Sequence, residues 1–95
     1  MAGSEIDAIA RDLLTARGFG ENFGHGLGHG VGLAVHELPT LGRSGRAAVR
    51  AGSVVTIEPG VYIPGFGGVR IEDLAVVEEG GLRLLSSSPK ELMEI

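Results

Sequence analysis

Glycine occupies every second position from Gly24 to Gly32, in the run GHGLGHGVG, and this alternation limits the chain more than any other feature. A stable helix is excluded there, because each interior glycine costs about 1 kcal/mol relative to alanine. Read as extended chain, the run sets bare glycine on one face and His25, Leu27, His29, Val31, Leu33 and Val35 on the other. Glycine in such a segment signals close approach of backbone or ligand. All three histidines of the protein, His25, His29 and His36, lie in this stretch or directly after it. A segment that gives up so much side-chain packing and keeps every histidine reads as a site.

The rest of the chain supplies a scaffold of α+β type. Ile6, Ile9, Ala10, Leu13 and Leu14 fall at helical spacing behind Ser4 and Glu5, which predicts an amphipathic helix over 4–17 with Gly18 closing it. Residues 19–30 read as loop or irregular extended chain, 31–36 as a short strand stopped near Pro39, and 39–52 as a surface loop rich in Gly, Arg and Ser. Residues 53–58 are β-branched and strand-like up to Pro59-Gly60, and 61–63 continue extended. Residues 69–77 form the longest strand candidate, and 78–81 a hairpin turn into 82–85. Ser88-Pro89-Lys90-Glu91 has the form of a capping box, which predicts a last short helix. No internal repeat or low-complexity tract interrupts this order.

Composition narrows the function classes. Ninety-five residues make one domain or one piece of a larger one, and a chain this short has marginal independent stability. The net charge of −4 and the lack of a basic run argue against nucleic acid as a partner. No apolar run approaches the ~20 residues of a membrane span. With no cysteine, no disulfide framework exists. The expectation is a cytoplasmic chain with neither nucleic-acid nor membrane partners.

Two carboxylates stand where burial is costly. Glu58 lies in Thr56-Ile57-Glu58-Pro59-Gly60 and Glu72 in Arg70-Ile71-Glu72-Asp73, each near the end of a strand candidate. A glutamate among Val, Thr and Ile needs a partner or a metal ion. Imidazole with two carboxylates suits a divalent cation. From spacing alone the bland readings stay open: a hydrogen-bonded histidine, a solvated glutamate, an Arg70–Glu72 ion pair on one strand face.

Three motifs taken together are more specific. His25-Gly-Leu-Gly-His29 with His36-Glu37, then Thr56-Ile57-Glu58-Pro59-Gly60-Val61-Tyr62, then Gly68-Val69-Arg70-Ile71-Glu72-Asp73, resemble the metallopeptidases of pita-bread fold. The similarity is strongest to their proline-specific branch, the Xaa-Pro aminopeptidases and Xaa-Pro dipeptidases (prolidases), and it runs from about residue 5 to about residue 92. The resemblance implies a helix packed on a curved antiparallel sheet, the C-terminal half of a catalytic domain whose halves are related by pseudo-twofold symmetry. It implies His29, Glu58 and Glu72 as metal ligands, with Glu72 bridging two divalent ions, manganese leading and cobalt or zinc as alternatives. Glu58 would also be the general base. His36 would contact the scissile carbonyl or the leaving nitrogen, and His25 would hold substrate on the far side of that bond. Arg70 would orient Glu72, with Tyr62 in the same network. The implied substrate is a peptide or dipeptide with proline in second place.

In this family two further ligands are aspartates on strands that precede the counterpart of Ser4, and residues 1–95 supply neither. The chain is therefore expected to be an inactive or incomplete half that needs the N-terminal half or associates with itself. The competing expectation is a non-catalytic peptide-binding or self-associating module of the same fold. Retention of His25, His29, His36, Glu58 and Glu72 favours descent from an active enzyme.

Overall fold

The computed structural model describes residues 1–94. Helix α1 runs over Gly3–Ala16, one residue earlier at each end than its pattern suggested. Ala2, not Ser4, is the N-cap, and the Glu5 carboxylate accepts the Ala2 N–H at 2.6 Å. At the other end Gly18 takes φ +87°, Phe19 N–H bonds to the Leu14 carbonyl and Gly18 N–H to that of Thr15. That is a Schellman closure, and glycine is the residue that enters the left-handed region without steric cost.

Seven strands follow a single turn of 3-10 helix at Gly20–Asn22: β1 Gly28–Gly30, β2 Glu37–Leu41, β3 Val54–Ile57, β4 Gly60–Ile63, β5 Gly67–Arg70, β6 Asp73–Glu78 and β7 Gly81–Leu84. Five of them form an antiparallel sheet in the order β2-β1-β3-β6-β7, while β4 and β5 make a separate hairpin. The α+β expectation holds, with one helix against a mostly antiparallel sheet.

Alternation along the strands gives the sheet two unlike faces. Val55, Ile57 and Val77 turn toward α1 and join Phe23, Leu27 and Leu41 in the core, together with Ile6, Ala10 and Leu14 of the helix. Thr56 and Glu58 point the other way, as do Glu72 and Leu74, and these four line a cleft. The pairing of Thr56 with Leu74 across β3 and β6 fixes which residues share that side.

Four local expectations are corrected. The strand expected at 31–36 is a run of bends; regular pairing occurs on either side of it, in β1 and β2. Leu33 and Val35 are exposed, so the glycine/side-chain alternation organises only Gly28–Gly30. Pro39 does not end extended structure but sits inside β2, which is an edge strand where a missing N–H is tolerated. The long strand expected at 69–77 divides at Ile71-Glu72, because its first part pairs with β4 and its second with β3. The capping box at 88–91 starts no helix: Leu92 and Met93 are exposed, and a single turn with no packed face does not offset its nucleation cost. The hairpin turn does form at Glu79-Gly80, with Glu78 opposite Gly81.

The strands β1 and β3 approach so closely that a Cβ at Gly28 would strike the Thr56 carbonyl oxygen. Gly28→Ala is therefore expected to destabilise the chain by about 1–3 kcal/mol. Gly42→Ala places its Cβ no nearer than 3.5 Å to Thr40 Cγ2, an ordinary contact, and is expected to be close to neutral. Urea unfolding of the two variants side by side measures the difference; equal midpoints would refute the close-packing account.

Candidate metal centre

The cleft on the sheet face opposite α1 has a volume of about 570 Å³. His29 from β1, Thr56 and Glu58 at the end of β3, His36 from the bend region, and Arg70, Glu72 and Leu74 around the β5–β6 joint all line it. Three segments far apart in sequence thus deliver their chemistry to one place.

His29 is fixed at its backbone and at one ring nitrogen. Its backbone N–H donates to Thr56 Oγ1 at 3.1 Å. Its Nδ1–H donates to the Gly30 carbonyl at 2.9 Å, a tautomer assigned from the partner, since a carbonyl only accepts. Nε2 is left with its lone pair, 3.3 Å from Glu58 Oε2. Glu58 is held in turn by its own N–H, which donates to the Leu27 carbonyl at 2.7 Å. Two acceptors face each other, an arrangement that a proton or a cation must reconcile. Imidazole nitrogen beside carboxylate oxygen is a donor set suited to Mn²⁺, Co²⁺ or Zn²⁺, so the residues present fit such an ion.

Glu72 shares the cleft but stands differently. Its side chain is 46% exposed, against 15% for Glu58, and it lies 3.7 Å from Arg70 Nε. Among the described residues, no three His, Cys, Asp or Glu side chains stand close enough together to hold one ion. Asp73 does not line the cleft and pairs with Lys90 at 3.3 Å. His36 is exposed and rests edge-on to His29, with ring centroids 4.4 Å apart.

His25 and Tyr62 do not line this cleft. They form a pair beside it: His25 Nδ1–H donates to the Gly26 carbonyl at 2.8 Å, and its Nε2 accepts from the Tyr62 hydroxyl at 2.9 Å.

Residues absent from the sequence-based site also support it. Thr56 is buried and carries the hydroxyl that receives His29 N–H. The signal for it was its two-residue offset from Glu58 on one strand. Asp7 is 1% exposed on α1 and pairs with Arg11 at 2.8 Å. An acidic residue inside the apolar stripe, four before an arginine, was the trace of that pair. Hydrogen bonding to Asp7 raises the Arg11 pKa further, against the opposing effect of burial.

The model of Metallopeptidase family M24 matches residues 1–79. The chain belongs to this family. An Xaa-Pro dipeptidase of Bacillus anthracis superposes with a TM-score of 0.95 at 49% identity, over 98% of this chain and 26% of that one. The Xaa-Pro dipeptidase of Pyrococcus furiosus is 45% identical over 98% of this chain and 27% of its own length. A peptidase of Bacillus subtilis, YqhT, is 53% identical over 98% of this chain and 26% of its own length. The chain thus spans about a quarter of the length of the relatives it matches. The pita-bread fold and the Xaa-Pro branch both stand on these likenesses. No helix among the described residues is long and apolar enough to cross a membrane.

Proposed function

We propose that this chain is the C-terminal half of the catalytic domain of a metal-dependent Xaa-Pro peptidase, acting in the cytoplasm. The completed domain removes the N-terminal residue from a peptide or dipeptide whose second residue is proline. One observation carries the reading: His29 Nε2 and Glu58 Oε2, both acceptors, are held 3.3 Å apart at the wall of a cleft.

In this reading His29, Glu58 and Glu72 would hold divalent metal, manganese by preference. Two aspartates from the N-terminal half would complete the ligands. When bound, the ions lower the pKa of a water molecule and polarise the scissile carbonyl. Glu58 Oε1, the oxygen not turned to His29, takes the proton of the attacking water. His36 is free to point its N–H at the carbonyl oxygen as charge develops, or at the leaving nitrogen. Arg70 limits the swing of Glu72. His25 contacts substrate on the far side of the bond, and a substrate donor reaching its Nε2 displaces the Tyr62 hydroxyl.

The test is a domain completed by fusing an N-terminal half that bears the two aspartates. Xaa-Pro dipeptides are assayed beside Xaa-Ala controls, with Mn²⁺ and after chelation. Turnover confined to the proline series, lost on chelation and restored by Mn²⁺, is expected. Equal cleavage of the Xaa-Ala series would remove the specificity, and turnover that survives chelation would remove the metal.

A further inference from the structure

We propose that Asp7 and Arg11 form a positioning unit for His25, reaching from α1 to fix the part of the histidine run that precedes β1 and that no strand holds. Residues 23–27 lie outside every strand. Three of their backbone polar groups are bound by two side chains. Arg11 Nη1 donates to the Phe23 carbonyl at 2.8 Å and Nη2 to the His25 carbonyl at 3.0 Å. Leu27 N–H donates to Asp7 Oδ1 at 3.0 Å. The attachment points fall at residues 23, 25 and 27, on both sides of Gly24 and Gly26, the positions with the most backbone freedom.

The unit is itself stiff. Arg11 Nε and Nη2 donate to the two oxygens of Asp7 at 2.8 and 3.1 Å, and the guanidinium lies 4.3 Å over the Phe23 ring. A bidentate, stacked guanidinium keeps its plane, and its remaining N–H groups keep fixed directions. With the His25 carbonyl pinned, the ring follows: Nδ1–H reaches Gly26 O, Nε2 reaches Tyr62, and the ring edge meets Phe23 at 5.3 Å. The apolar part of α1 needs none of this, because Ile6, Ala10 and Leu14 already seat the helix on the core. A buried carboxylate at Asp7 is explained by the loop it holds rather than by the helix it sits on.

This inference rests on the proposed role of His25 in holding substrate, but its first test does not. The 95-residue chain contains three histidines, so their ring 15N–1H resonances can be followed individually, with His25→Ala giving the assignment. Arg11→Lys keeps a positive charge beside Asp7 and cannot span both carbonyls. It is expected to erase or shift the His25 Nδ1–H resonance and to leave that of His29 in place. An unchanged His25 resonance overturns the proposal. Loss of both resonances together also overturns it, since the pair would then hold the fold at large.

In the completed domain, Arg11→Lys is expected to raise KM for a proline dipeptide roughly 10-fold, with kcat little changed. The same substitution placed on His25→Ala should add no further rise, because its effect travels through that ring. A full additional rise would overturn the proposal. A completed domain that turns over no Xaa-Pro substrate would end the functional reading, while the ring resonances still decide the role of Arg11.

Discussion

Alanine at Glu58 is expected to lower kcat of the completed domain by about 10²- to 10⁴-fold from loss of a positioned base alone. Loss of the ion adds to this, because the same carboxylate supplies the oxygen opposite His29 Nε2. Stability should barely move. The structural bond of Glu58 is its N–H to the Leu27 carbonyl at 2.7 Å, which alanine keeps, and removing the carboxylate relieves an acceptor facing an acceptor. Glu58→Gln separates the two contributions, since an amide retains shape and one oxygen ligand but cannot take a proton. Activity, bound metal and unfolding midpoint, measured on one preparation of each variant, form the test. A Glu58→Ala domain within tenfold of the parent in kcat would dismiss Glu58 as base and ligand alike.

Why Glu58 was legible in sequence and Asp7 was not is a matter of which forces act over short distances. Along 54–58, period-two burial, the β-branched run and the proline stop are all local, and together they put Thr56 and Glu58 on the face opposite Val55 and Ile57. The Schellman end of α1 is equally local, written in Gly18 and Phe19. The division of 69–77 at Ile71-Glu72 is different. Both parts suit extended chain, and what separates them is the choice of partner, β4 for one and β3 for the other. Pairing of that kind has no signature within the segment.

The histidine run fails in the same way. Its alternation suits a strand throughout, yet only Gly28–Gly30 finds neighbours on both sides, β2 and β3. The stretch before it is claimed by Asp7 and Arg11, and the bends after it bring His36 back over His29. The spacing of Asp7 and Arg11 shows a pair on one helix, but not the loop at 23–27 that the pair binds. The paired part of the run thus places His29, while His25 and His36 are placed by the unpaired stretches on either side of it.

The 95-residue chain by itself should hydrolyse Xaa-Pro dipeptides at least ~100-fold more slowly than the completed domain, and bind Mn²⁺, Co²⁺ or Zn²⁺ more weakly by a similar factor. His29 and Glu58 offer one nitrogen and one oxygen to an ion, while Glu72 is half-exposed beside Arg70. Two protein donors fall short of the three that a catalytic zinc centre keeps. The outer face of α1 also leaves Ile9 and Leu13 exposed, and Leu82 and Leu84 are exposed on the edge strand β7. Apolar surface of this kind favours self-association over a monomer. Sizing in solution should therefore give a dimer or larger species that shifts toward a single complex when the N-terminal half is added. Peptidase assays with each metal, run on the same fractions, complete the comparison. Full turnover by the chain alone would mean that two copies rebuild a working site, each lending the other the carboxylates that the N-terminal half is proposed to bring.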